Sequence, residues 1–298
     1  MKTFKIIICI LIFLTTSSVH ADNLFVMGWD GAGMNNLIPL LKQGRLPNLK
    51  SLIDAGACLT HIENISTTCT MPNWTEAFTG LTYDQTGVLN NIQIETVSYP
   101  HTIVKSIQEQ GHTIGWFTSK DYLGDDLSIS ALAPIANHAD SFSKRKPDGY
   151  MGDNYITFLT QKTISFIQSN PHYFVFLHVD PDYYGHQYGE NSDRYLHEFE
   201  RADEALGKIL QYINRTDTKI VVLSDHGFDE GGIEHYDAPD NFLVSDLPIK
   251  SFYCRKIGGE QKTSGTMRDV ANTILTYYGI DYSTKIPTLR GKSLIPTP

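Results

Sequence analysis

The sequence predicts an α/β fold: a mostly parallel central sheet flanked by helices, with a small inserted cap. Three observations predict it. Apolar runs of strand length alternate with segments of helical spacing. Several of those runs are apolar on both faces, as strands buried between two helical layers are. Three of them end in an acid, and open parallel sheets gather their ligands outside the carboxyl ends of the strands.

The elements follow in order. Lys2 and Lys5, the apolar run Ile6 to Leu14 and the small residues Val19-His20-Ala21 predict a signal peptide over 1–21, leaving 22–298 as the mature domain. The run is too short to span a bilayer, and no later run approaches the length of a transmembrane helix. Leu24 to Met27 is a buried strand feeding Gly28-Trp29-Asp30-Gly31. Residues 34–54 carry helical spacing broken by Pro47, and Ala57 to Ile65 is a second strand. Thr67 to Asn73 is a polar turn, with a helix from Trp74 to Leu81. His112 to Phe117 is a strand. Residues 119–150 are polar with weak periodicity, the pattern of a cap over a site. A helix over 153–169 leads to the strand Tyr173 to Val179, and an amphipathic helix over 192–213 leads to the strand Lys219 to Leu223. A Gly-rich loop covers 227–241, and a helix near 266–278 closes the chain.

Composition narrows the function. The chain has 298 residues, 41% of them hydrophobic, enough for one large domain with a substantial core. Loss of Lys2 and Lys5 would take the formal charge from -9 to about -11. Such an acidic surface lacks the electrostatic footprint of a nucleic-acid-duplex binder, whereas a small anionic substrate is still accessible if metal ions supply positive charge. With Cys9 in the leader, Cys58, Cys69 and Cys254 remain, an odd number that allows one internal disulfide; Cys58 is a candidate partner for Cys69. The expected location is secreted or periplasmic.

The acids and histidines carry the chemistry. Strand 24–29 ends at Asp30, strand 173–179 runs into Asp180-Pro181-Asp182, and strand 219–224 runs into Asp225-His226. A carboxylate at a buried strand end is costly without a partner, so three in one sheet point to shared cations. Asp182 and His186 are four residues apart, and His235 follows on the Gly-rich loop. Carboxylate with imidazole suits zinc and similar divalent ions. His178, inside an apolar strand, reads as a satisfied core histidine, and Asn73 as a possible helix cap. Trp74, Tyr183 and Tyr184 are candidates for an aromatic wall against a substrate. No arginine or lysine near the motifs stands out as a grip for a second anionic charge, which favours a diester over a monoester.

These residues resemble the alkaline-phosphatase superfamily, and within it the type I phosphodiesterase/nucleotide pyrophosphatase branch. The resemblance rests on Asp30-Gly31, on Thr70-Met71-Pro72-Asn73 followed by Thr79-Gly80-Leu81, on Pro181 through Gly189, and on Ser224 through Gly227, in that order. It implies two divalent metal ions, most simply Zn2+. Asp30, Asp225 and His226 would hold one, with Thr70 bound to it, and Asp182, His186 and His235 the other. It implies Thr70 as the nucleophile and Asn91 as a hydrogen-bond donor to a phosphoryl oxygen. His235 sits in a loop that departs from the Gly-His-Gly pattern of small members and is assigned as the last histidine of the chain. The implied substrate is a small phosphorylated compound, a nucleotide-like or lipid-like diester, with phosphomonoesters and phosphonates as alternatives. A sulfatase would need Cys-x-Pro-x-Arg, and Cys69-Thr70-Met71-Pro72 has the proline one place too far and no arginine. A non-catalytic surface-binding protein would have lost ligands, and none is missing here.

Overall fold

The computed structural model describes residues 23–297 apart from 66, 93–96, 121–122, 124–130, 145–153, 239–240, 261–262 and 282–290. The leader at 1–21 and much of the 119–150 stretch lie outside the described residues.

Among the described residues, nine strands build one sheet: β1 (Asn23–Trp29), β2 (Cys58–Glu63), β3 (Thr113–Thr118), β4 (Ser141–Lys144), β5 (Tyr173–Val179), β6 (Thr218–Ser224), β7 (Asn241–Ser245), β8 (Cys254–Arg255) and β9 (Gly265–Thr266). The order is β4-β3-β5-β1-β6-β7-β2-β8, with β9 against β2. From β4 through β6 every pairing is parallel. Beyond β6 the sheet changes character, because β7 runs antiparallel to β6 and to β2, and β8 antiparallel to β2. The fold is the expected mostly parallel α/β sheet.

The helices are α1 (Met34–Lys42), α2 (Pro47–Asp54), α3 (Thr70–Thr79), α4 (Tyr83–Thr86), α5 (Ile103–Glu109), α6 (Ala133–His138), α7 (Asn154–Ser169), α8 (Pro181–Tyr188), α9 (Asp193–Leu210) and α10 (Met267–Tyr277). Side chains alternate across a strand, so each central strand feeds two cores. Leu24, Val26, Phe174, Phe176, Val221 and Leu223 meet α3, α5 and α10 on one face. Phe25, Met27, Val175, Leu177, Ile220 and Val222 meet α1, α2, α7 and α9 on the other. Burial on both faces is why these strands read as unbroken apolar runs.

Two local expectations are corrected, and the polar stretch gains two elements. The helix expected from Trp74 begins at Thr70, because Pro72 lies in its first turn, where a missing N–H costs nothing. The described part of the polar stretch contains α6 and the edge strand β4, whose four residues are all half-buried and so show no clear alternation. Cys58 pairs with Cys254, not Cys69. The β2–β8 ladder sets Thr60 opposite Cys254, bringing two cysteines 196 residues apart within reach, while Cys69 stays free at the start of α3. No helix among the described residues is long and apolar enough to cross a membrane.

Candidate active site

Strand register assembles the site. Trp29 is paired with Val179 on one side and Ser224 on the other, so the next residues, Asp30, Asp180 and Asp225, leave β1, β5 and β6 in one row. β3 pairs Phe117 with Leu177, and the same offset carries Lys120 to the level of Asp180. All four residues are buried. The chain then turns tightly: Gly31 has φ +66°, and a Cβ there would lie 2.7 Å from Cβ of Asp182. Only glycine accepts both that conformation and that contact. Asp182 is fixed opposite by its own amide, which donates to the Asp30 carbonyl at 3.0 Å. Asp180 caps α8, accepting from the Tyr183 amide at 3.2 Å, and Pro181 takes the first helical position. Within α8, Asp182 and His186 share a face at i and i+4, with 3.5 Å between Oδ1 and Nε2.

Thr70 opens α3, wholly buried, with Oγ1 3.3 Å from Nε2 of His226 and 3.5 Å from Nζ of Lys120. His226 Nδ1 donates to the Gly227 carbonyl at 3.0 Å, which leaves the lone pair of the neutral ring on Nε2. That Nε2 faces Asp225 Oδ2 at 3.5 Å, Asp30 Oδ1 at 3.7 Å and Asp182 Oδ1 at 3.9 Å. His186 is oriented likewise, with Nδ1 donating to the Ile233 carbonyl at 2.7 Å. His235 is buried on the loop after β6, with Nε2 4.0 Å from Asp182 Oδ1. Asn91 accepts from the Met71 amide through Oδ1 at 2.9 Å, which pins it beside the first turn of α3.

Thus Asp30, Thr70, Asp182, His186, Asp225, His226 and His235 come together, with His186 at the half-exposed rim and Asn91 beside the helix start. Two of the acid–imidazole groups have donor atoms all within 4.8 Å of one another: Asp30, Asp225 and His226, and Asp182, His226 and His235. The donor chemistry fits divalent metal. Asp182 Oδ1, Asp225 Oδ2 and His235 Nδ1 are buried yet have no hydrogen-bond partner among the described residues, which is costly unless something binds there.

The electrostatics agree. Burial pushes the Asp225 carboxyl well up, reinforced by the nearby Asp30 charge. Burial pushes Asp180 up to about 7, against the pull of Lys120. At Asp30 burial acts in the same sense but loses, because the Lys120 ammonium and the His178 hydrogen bond hold the carboxyl well below its ordinary range. At Asp182, too, Lys120 outweighs burial and lowers the carboxyl. Burial, and then the neighbouring His226, push His235 down to about 4, which keeps its ring neutral and able to ligate.

The structure also brings in residues that sequence reading passed over. His178 is a satisfied buried histidine as expected, but its partners are Ser119 at 2.7 Å and the site carboxylate Asp30 at 2.9 Å. It shares the face of Phe174 and Phe176, and this period-2 placement toward α3 was the available signal. Lys120 contacts Asp30 at 2.8 Å, Asp182 at 2.7 Å and Asp180 at 3.5 Å. Trp74 is no substrate wall: it is wholly buried against Phe78 and Phe176, with Nε1 3.4 Å from Asp30 Oδ2. Asn73 does not cap α3, since it lies inside the helix and donates to the carbonyls of Thr67 and Asp225, both at 2.8 Å. A cavity of about 420 Å³, lined by Asn64, Thr67, Thr68, Cys69, Tyr236, Asp237 and Ala238, lies between the residues before Thr70 and those after His235.

Comparison with known proteins gives the same picture. The chain is 26% identical over 238 residues to mouse bis(5'-adenosyl)-triphosphatase enpp4, covering 71% of this chain and 48% of that protein. It is 22% identical over 236 residues to human ectonucleotide pyrophosphatase/phosphodiesterase family member 1, covering 70% of this chain and 24% of the relative. The chain thus matches between about a quarter and a half of the length of these relatives. In fold it is similar to the zinc complex of the C-terminal periplasmic domain of EcEptC from Escherichia coli, with a TM-score of 0.65, 13% identity, and coverage of 93% of this chain and 87% of that one. The model of the family described as type I phosphodiesterase / nucleotide pyrophosphatase matches residues 24–251, a span that contains every residue of the site, and the chain belongs to that family.

Proposed function

We propose that the chain is a secreted or periplasmic metal-dependent phosphoric ester hydrolase, a phosphodiesterase or nucleotide pyrophosphatase, that works through a phosphoryl-threonine. The carrying observation is Thr70: a buried hydroxyl at a helix start, 3.3 Å from His226 Nε2, which itself lies within 3.9 Å of buried carboxyl oxygens of Asp30, Asp182 and Asp225. Asp30, Asp225 and His226 would hold one divalent ion; Asp182, with His186 at 3.5 Å and His235 at 4.0 Å from its Oδ1, would hold a second, zinc being the ion the mixed donors suit best. When bound, such ions supply the Lewis acidity that lowers the pKa of the threonine hydroxyl and offsets charge on the phosphoryl oxygens.

The chain's own residues do the rest. Thr70 Oγ1 attacks phosphorus in line, the P–O bond to the leaving group breaks, and the threonine carries the phosphoryl group. Water then attacks that phosphorus, the bond to Oγ1 breaks, and the hydroxyl is restored. Two inversions give net retention. Asn91, its oxygen tied to Met71, has its amide N–H groups left to donate to an equatorial oxygen, and the α3 amino terminus adds its dipole. His178 and Trp74 hold Asp30 from behind. The cavity beside Thr67, Thr68 and Tyr236 offers hydroxyls, the Asn64 amide and the Asp237 carboxylate, and no cation among the described residues, which suits a polar, uncharged leaving portion such as a nucleoside or glycerol-like group. The cap over 119–150 remains part of this proposal, and the Cys58–Cys254 disulfide fits an oxidising compartment.

Thr70→Ala tests the reading. Turnover of an aryl phosphodiester with added zinc should fall by at least about a thousandfold while bound metal and thermal midpoint hold. A wild-type rate in that variant would remove Thr70 from the mechanism. A second reading has one observation behind it: Lys120, within 3.5 Å of Thr70, supplies the positive charge that a phosphomonoester or phosphonate needs. Side-by-side rates on aryl diester, monoester, phosphonate and sulfate substrates decide between them.

A further inference from the structure

The site holds three groups able to take a cation, and one of them differs from the other two. Asp30, Asp225, His226 and Asp182, His226, His235 each contain imidazole. The third, Asp30, Asp180 and Asp182, is carboxylate only, with its donor oxygens again within 4.8 Å of one another. Its cation is already present in the chain: Nζ of Lys120 lies 2.8, 3.5 and 2.7 Å from those three residues in turn. Both the lysine and the acids are at least nine-tenths buried. An ammonium with three donors matches three carboxylates, and it reaches Thr70 Oγ1 at 3.5 Å as well.

Building on the two-metal reading, we propose that Lys120 is the resident third cation of the site: divalent ions take the two imidazole-bearing ligand sets, Asp30, Asp225 and His226 and then Asp182, His186 and His235, and the ammonium permanently serves the all-carboxylate group while presenting positive charge beside Thr70 to the substrate. The charge count supports this division. Asp30, Asp180, Asp182, Asp225 and a Thr70 alkoxide carry five negative charges, and two divalent ions with Lys120 carry five positive. Asp180 and Lys120 enter that count as a matched pair, which explains why a fourth buried carboxylate is tolerated where three ligands would suffice. The long 3.5 Å contact to Thr70 Oγ1 is the weakest of the ammonium's three hydrogen bonds, so that N–H is the one that would turn to a substrate oxygen as negative charge gathers there. Lys120 is therefore a specificity-determining residue for substrates with more than one anionic oxygen.

The test uses the purified full chain and three variants, Lys120→Met, Lys120→Arg and the pair Lys120→Met with Asp180→Asn. Elemental analysis after equilibration with zinc and magnesium, the thermal midpoint of metal-depleted protein, and KM for aryl phosphomonoester against aryl phosphodiester are read for each. Wild type should hold two ions. Lys120→Met should lose thermal midpoint without metal, take up a third ion with it, and raise KM for the monoester about tenfold more than for the diester, the effect of one lost charge-assisted hydrogen bond. Lys120→Arg should keep two ions and most of the discrimination. The paired variant, which removes one charge of each sign, should return to two ions and recover most of the midpoint. Two ions in Lys120→Met with midpoint and KM ratio unchanged would overturn the proposal. So would tighter zinc binding at unchanged stoichiometry, because the ammonium would then merely occupy a metal position. A wild type holding no ion sinks the two-metal reading instead, and the midpoints of the metal-depleted variants still judge the lysine.

Discussion

The two halves of the sheet are built for different tasks. The parallel half, β4-β3-β5-β1-β6, ends in register, and that register delivers Asp30, Asp180, Asp225 and Lys120 to one row. The other half, β7-β2-β8 antiparallel with β9 added parallel to β2, delivers no ionisable group to that row among the described residues; it carries the Cys58–Cys254 disulfide and the amide of Asn241, which donates to the Asp225 carbonyl. In the parallel half the strand ends are crowded with charge that folding alone does not satisfy. In the antiparallel half the residues lock the edge and steady the loop from behind.

The comparison predicts which perturbations damage which half. Chelation is expected to have the largest effect after loss of Thr70 itself: it should abolish turnover, and zinc should restore it, with the disulfide intact throughout. Activity indifferent to chelator, read against an added-zinc control, would break the assignment of chemistry to the parallel half. Replacing Cys58 and Cys254 with serine should cost about 2–4 kcal/mol of stability, seen as a lower denaturant midpoint, with turnover of the folded fraction retained. Lost turnover at full folding would show that the two halves are not separable. The smallest effect is electrostatic. In metal-depleted protein Asp180 is pushed up to about 7 from 3.8, so between those values the folded chain binds a proton that the unfolded chain does not. The stability it contributes is therefore full below 3.8 and lost as pH rises through 7. Asp180→Asn should remove that loss, raising stability above wild type at pH 8 and leaving it unchanged near pH 4. Equal denaturation curves at pH 8 would put the burial strain elsewhere.

How much of this was legible in sequence follows the same division. Asp30, Asp180 and Asp225 announce themselves because each directly follows an apolar strand, with Asp182 and His226 close behind, and a buried strand needs no partner to be recognised. Which strands are neighbours is not written locally. Lys120 therefore escaped: it follows β3 by two residues, but its meaning depends on β3 lying against β5 and on the register between them. The Cys58–Cys254 pairing escaped for the same reason, being set by the β2–β8 ladder between segments 196 residues apart. Trp74 and Asn73 were misplaced by starting α3 four residues late, and Pro72 was the signal that would have moved the boundary. His235 was reached by elimination, and the structure seats it beside Asp182 and His226.

His226 occurs in both acid–imidazole groups, yet its Nδ1 is committed to the Gly227 carbonyl. One imidazole then has a single electron pair to give, and two ions cannot both claim it. Whichever group goes without must complete its coordination from outside the trio, from the half-exposed His186, from Thr70, or from an incoming oxygen. With two ions bound, that shortage would leave a ligand position for a substrate oxygen to fill.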